Sequence, residues 1–142
     1  MTETKRVMLR IRTEQRVPGE DPEIMELQSE GTLAQYDDRT ELTYVESAVT
    51  GLEGVTTTFV LYDDRVVLIR DGEKLKNTMV FQVGKKTDSL YDVGFGALLI
   101  TVTAQRTEMD LVIGKFSVEY TVEVEHTYMG TNTYAVSYRV LD

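Results

Sequence analysis

The sequence predicts an all-β protein folded as one closed antiparallel up-and-down barrel of eight to eleven strands, and three observations carry that reading. Apolar and polar residues alternate along most of the chain, the signature of strands with one buried and one wet face. Glycine, proline and aspartate recur between the alternating runs as turn signals. No segment of helical length shows a helical period. A sheet of many antiparallel strands has two vulnerable edges, which nature removes by closing a barrel or limits by stacking two sheets. Short successive hairpins favour the meandering barrel, and a sandwich stands second.

The elements follow in order. Val7, Leu9 and Ile11 oppose Met8, Arg10 and Arg12, which marks a strand near Lys5–Val17 that ends at Pro18-Gly19-Glu20-Asp21-Pro22. Strands near Ile24–Tyr36 and Thr40–Ser47 flank Asp37-Asp38, and Gly51 to Gly54 separates them from Thr56–Tyr62. Asp63-Asp64 and Asp71-Gly72 bound a strand at Arg65–Arg70. Asn77–Phe81, Ser89–Val93, Ala97–Ala104 and Glu108–Ile113 come next. In Lys115–His126, Phe116, Val118, Tyr120, Val122 and Val124 alternate with Ser117, Glu119, Thr121, Glu123 and Glu125. Thr131–Leu141 closes the chain with Tyr134, Val136, Tyr138 and Val140 on one face.

At 142 residues the chain is long enough for one domain, 1–142, with one core, and a chain of this size buries roughly 70% of its unfolded surface. Cysteine is absent, which excludes disulfides, thiolate chemistry and cysteine metal sites, and the lone His126 cannot build a multi-histidine centre. No metal or cofactor is expected. The charge of −9 and the lack of a basic patch beyond Lys5–Arg16 argue against nucleic acid. The charged N-terminus and the lack of a long apolar run lead to the expectation of a cytoplasmic protein without membrane attachment.

Gly94 and Gly96 stand one residue apart in "LYDVGFGALLITVT". A phosphate loop needs a helix N-terminus and a cation behind its glycines, and here a β-rich run follows. The glycines therefore read as a bend or bulge in the sheet. The paired "YDDR" segments, Tyr36–Arg39 and Tyr62–Arg65, read as hairpin turns. Catalysis has little to stand on: His126 sits at a strand end, and the acids other than Glu46 lie on wet faces or in turns.

Glu46 shares the face of Leu42 and Tyr44, and Arg70 that of Val66 and Leu68. Charges on inward faces are costly unless paired and hydrogen-bonded. Three readings stay open: a Glu46–Arg70 ion pair, an Arg70 that reaches solvent at its strand end, and a polar floor in a ligand cavity. Tyr44, Met79, Phe81, Tyr91 and Tyr120 fall on candidate inner faces, where they suit either a packed core or a pocket for a flat apolar ligand.

"ELQSEGT" (Glu26–Thr32), "YVES" (Tyr44–Ser47), "TGLEGVTTT" (Thr50–Thr58), "IRDG" (Ile69–Gly72), "MVF" (Met79–Phe81), the Tyr91 to Gly96 element and "TNTYAVSYRV" (Thr131–Val140) succeed one another in this order. In that succession the chain resembles the YwiB-like bacterial proteins of unknown function. The resemblance implies a barrel of the calycin or lipocalin-like type and no established activity. It aligns a Tyr-x-Glu on Tyr44 and Glu46 and an Arg-x-Gly on Arg70 and Gly72. The chain departs from the family at Val93-Gly94, where many members carry Thr-Pro.

The expectation is a non-enzymatic barrel that binds a small, mainly apolar molecule, with Glu46 and Arg70 as polar anchors among Tyr44, Met79, Phe81, Tyr91 and Tyr120. The alternative is a packed barrel acting through its surface on a protein partner as an adaptor or regulator. An enzymatic reading would need Glu46 as a solvent-accessible general base beside Arg70. The oligomeric state is not legible in the sequence.

Overall fold

The computed structural model describes residues 3–141 and shows ten strands. They are β1 (Glu3–Arg16), β2 (Glu23–Gln35), β3 (Thr40–Val45), β4 (Thr56–Leu61), β5 (Val66–Asp71), β6 (Lys76–Phe81), β7 (Lys86–Asp92), β8 (Ala97–Asp110), β9 (Lys115–Val124) and β10 (Thr127–Val140). Each pairs antiparallel with its neighbours in sequence, and β10 pairs with β1 to close the barrel. The architecture is an all-β up-and-down barrel of the lipocalin-like kind.

Two candidate strands of the sequence, Ala97–Ala104 and Glu108–Ile113, are one strand, β8. A register shift between Ala104 and Arg106 explains the apparent break. One extra residue at a bulge interrupts the alternation and lets the strand continue with renewed inward parity, so Met109 again packs on the core. Beyond Asp110 the chain turns, and Leu111, Val112 and Ile113 form an exposed hairpin tip.

Gly94 and Gly96 occupy the turn of the β7–β8 hairpin and not a bend within a strand. The Val93 N–H donates to the Gly96 carbonyl (3.0 Å), and the Gly94 N–H donates to Asp92 Oδ1 (2.8 Å). Gly94 takes a φ of 93°, which glycine adopts at no steric cost. The two YDDR segments form twin turns at the opposite end. In each, the tyrosine N–H donates to the arginine carbonyl, and the guanidinium lies about 4 Å above the tyrosine ring. The local sequence builds both turns from its own side chains, with Asp38 and Asp64 also pairing Arg39 and Arg65.

The closed sheet has a short-stranded half, here the short sheet, and a long-stranded half, the long sheet, joined unevenly. Strands β3 to β6 are six residues each and pair along their full lengths. Strands β7 to β10, β1 and β2 are longer, with ten register pairs between β1 and β10 and thirteen between β1 and β2. Only four pairs join β2 to β3, all between Thr32–Gln35 and Thr40–Thr43. A single pair, Lys76 with Asp92, joins β6 to β7. Side chains supplement this last seam: Asn77 Nδ2 donates to the Leu90 carbonyl (2.9 Å), and Thr87 Oγ1 donates to the Val80 carbonyl (2.9 Å).

Burial along the inward faces runs in a gradient. At the end that carries the YDDR turns, here the lower end, Val7, Leu9, Val66, Leu68 and Phe81 are sealed. Toward the upper end the same faces open. Along β1, Ile11 is buried, Thr13 half-buried and Gln15 exposed, and along β9 buried Tyr120 gives way to half-buried Val122 and Val124. On β8, buried Ile100 gives way to Leu98, which is 46% exposed. Interlocked rings fill the centre. Phe59 packs edge-on against Phe116 and Tyr134 at 5.2 and 5.8 Å, and Phe81 tilts against Tyr120 at 4.4 Å.

Candidate functional site

Strand register brings four inward side chains into one row across the short sheet. Tyr44 on β3 pairs with Thr57 on β4, Thr57 with Arg70 on β5, and Arg70 with Asn77 on β6. A polar row within an apolar barrel requires partners for every donor and acceptor, because an unmatched buried polar atom costs about 1–3 kcal/mol.

Glu46 finds its partners close by. It follows Tyr44 at the two-residue step and is 4% exposed. Its Oε2 accepts from the Tyr44 hydroxyl (2.9 Å) and Thr57 Oγ1 (2.6 Å), and its Oε1 accepts from Thr50 Oγ1 (3.2 Å). Its backbone also closes the β3–β4 connection, since its N–H donates to the Val55 carbonyl and its carbonyl accepts from Gly54. The carboxylate is thus held by three hydroxyls and sealed beneath the helical turn at Ala48–Thr50. Burial first, and the neighbouring Glu46 charge second, push the Tyr44 phenol above its usual pKa.

Arg70 does not pair with Glu46. The ion-pair expectation is corrected: the nearer hydroxyls satisfy Glu46, and the guanidinium turns across the lumen, where its Nη2 donates to the Tyr134 hydroxyl on β10. Arg70 as a whole is half-buried, while its Nε is shielded from solvent and has no hydrogen-bond partner. Burial opposes the charge, and Tyr134, Tyr120, Tyr91 and Glu46 outweigh that opposition, so the pKa lies above the usual arginine value. Arg70 is therefore a permanent cation whose one side-chain hydrogen bond among the described residues goes to Tyr134.

Tyr120 and Tyr134 lie nearly parallel, with ring centres 6.4 Å apart. Burial dominates the rise of the Tyr120 pKa. Both rings line a recess of about 400 Å³ at the upper end, together with Thr13, Glu14, Gln15, Glu23, Met25 and Asn132. Tyr134 thus connects this recess to Arg70. A separate groove of about 610 Å³ lies on the outer face, flanked by Arg10, Arg12, Lys115, Ser117 and Ser137.

Of the seven expected residues, Tyr44, Glu46, Arg70 and Tyr120 gather near the upper half of the lumen, with Tyr91 half-buried beside them. Met79 and Phe81, 6% and 1% exposed, pack lower in the filled core and form the floor beneath that group. Sequence reasoning passed over Tyr134 and Asn77 as site residues. Asn77 carried the same signal as Glu46 and Arg70, a polar residue sharing the face of apolar Met79 and Phe81. His126 lies exposed in the β9–β10 turn at φ 68°, away from the row.

A family model described as a domain of unknown function, DUF1934, matches residues 9–136. The crystal structure of YwiB protein from Bacillus subtilis is similar to this fold with a TM-score of 0.77, at 19% identity over 94% of this chain and 92% of that one. At that identity the likeness speaks for the fold alone. No curated protein matches the sequence. With the family model spanning nearly its whole length, the chain belongs to the DUF1934 family, a family of unknown function.

Proposed function

We propose that the barrel binds a small, mainly apolar molecule that enters at the upper end and anchors one polar group on Arg70. The observation that carries this reading is the inward-facing guanidinium with an unmatched Nε, next to a recess floored by Tyr120 and Tyr134. Buried polar groups are matched as a rule, so an unmatched N–H on the inward face points to a partner that enters from outside the chain. The recess has the size of a small-molecule site, about 300–1,000 Å³ being usual, and mixes aromatic surface with a few polar groups. Glu46, sealed by hydroxyls, acts in this reading as a structural acceptor and a nearby counter-charge. No catalytic role is assigned, because no nucleophile and base converge beside Arg70.

Anilinonaphthalene sulfonate, an apolar fluorophore with one acidic group, tests the reading. The expected result is saturable one-to-one fluorescence enhancement, weakened about tenfold in Arg70→Met. Absent saturation, or equal binding by the variant, would count against it.

A second reading, an adaptor or regulator acting on another protein, draws on the β8–β9 tip, where Val112 is 97% and Ile113 61% exposed. Its test is binding of a purified candidate partner by the protein and by a Val112→Ser, Ile113→Ser double variant. Loss of binding in the double variant supports it.

A further inference from the structure

Two buried polar atoms lack partners among the described residues: Arg70 Nε, a donor, and Asn77 Oδ1, an acceptor. They belong to residues in direct register on adjacent strands, both on the inward face. The Asn77 amide cannot be reversed to remove the problem. Its nitrogen donates to the Leu90 carbonyl (2.9 Å) and to Ser89 Oγ (3.2 Å), and the carbonyl can accept only from a donor, which fixes Oδ1 on the other side.

From this pairing we infer that the barrel recognises the cis-amide edge of a flat neutral molecule, a lactam or imide whose carbonyl accepts from Arg70 and whose adjacent N–H donates to Asn77. The inference rests on the proposed binding role and specifies its ligand class. An ionised carboxylate or sulfonate meets only half of the pair. It can accept from Arg70, but it sets an acceptor against Asn77 Oδ1 and leaves that atom unmatched. A lactam presents acceptor and donor on adjacent atoms and matches both.

The charge balance points the same way. Glu46 lies near enough to act electrostatically on Arg70, and Glu14 and Glu23 line the recess, so carboxylates already outnumber the Arg70 cation there. A neutral ligand leaves that excess unchanged, and an anion would add to it. The surrounding surface suits a flat ring, since half-buried Tyr134, backed by buried Tyr120, presents aromatic area at the floor of the recess. The ligand carbonyl meets Arg70 at Nε, and the Tyr134 hydroxyl keeps its bond to Nη2.

The test uses the intact protein and three probes of similar shape, measured by calorimetric titration: carbostyril, N-methylcarbostyril and naphthoate. Carbostyril carries the lactam edge, its N-methyl derivative lacks the donor, and naphthoate replaces the edge with a carboxylate. The expected result is saturable carbostyril binding, weakened about tenfold or more by N-methylation and in naphthoate. Arg70→Lys, which keeps the charge and removes Nε, should weaken carbostyril by a similar factor. Equal affinity for carbostyril and its N-methyl derivative overturns the inference, and so does preference for naphthoate. Either of those outcomes leaves the binding role standing if affinity still depends on Arg70. Failure of all three probes and of the sulfonate fluorophore overturns both. Because the decisive comparison is between ligands on the unaltered protein, it holds even if a variant fails to fold.

Discussion

Arg70 on β5 and Tyr134 on β10, 64 residues apart, are hydrogen-bonded across the lumen. The bond links the short sheet to the long one through the interior, at the level where the barrel changes from filled to open. It also leaves Glu46 to its hydroxyls, which separates two charges that the sequence places on equivalent inward faces.

That separation makes a stability prediction. Removing one member of a buried ion pair costs about 3–5 kcal/mol, whereas a Met in place of half-buried Arg70 removes a desolvation cost together with its one hydrogen bond. Arg70→Met should therefore change the unfolding free energy by no more than about 1 kcal/mol. Urea denaturation checks this, and a loss of ion-pair size would show that Glu46 depends on Arg70.

Glu46 should behave oppositely. Glu46→Ala strands the hydroxyls of Tyr44 and Thr57 in a buried site, while Thr50 keeps the Ser47 carbonyl, and should cost about 3 kcal/mol. Glu46→Gln keeps an acceptor of the same shape and should lose clearly less, since the hydroxyls can rotate to accept from its amide. The difference between the two variants in the same denaturation assay is the quantity to measure.

Alkaline pH should destabilise the barrel through its buried phenols. Tyr44 and Tyr120 ionise near the ordinary 10.0 in the unfolded chain and higher in the fold, for which burial is the leading cause. Below pH 10 both states hold the protons and the stabilisation is complete. As pH rises beyond about 10 the unfolded chain releases protons that the native state retains, and stability falls. Phenolate absorbance should show a late step that coincides with unfolding, and the Tyr44→Phe, Tyr120→Phe double variant should diminish it.

The β6–β7 seam should open before the rest of the barrel. One backbone pair holds it, against ten or more along β1. Amide hydrogen exchange should be faster on β6 and β7 than on β1. Thr87→Val removes the bond to the Val80 carbonyl, and it should accelerate exchange at this seam and cost about 1 kcal/mol. Uniform protection around the barrel would contradict the uneven joining of the two sheets.

The strands were legible because each buries one face, so Phe116, Val118 and Tyr120 announce β9 without help from the rest of the chain. The bulge at Gln105 was not, because an extra residue in one strand looks in sequence like the end of one strand and the start of another. Glu46 and Arg70 were visible as polar residues of inward parity, and Asn77 could have been found by the same rule. Their partners were another matter. Thr57 meets Glu46 through register, and Tyr134 meets Arg70 only because the closed barrel faces β5 with β10. Parity shows which way a side chain points, and closure decides what it meets.

Binding at Arg70 is read most directly from the nitrogen–proton resonance of Arg70 Nε, followed by NMR while anilinonaphthalene sulfonate or carbostyril is added. The expected result is a saturable shift of this resonance with the same affinity as binding measured in bulk. A resonance that stays in place while those of the outer groove around Arg10 and Arg12 move would contradict it, and would place binding outside the barrel.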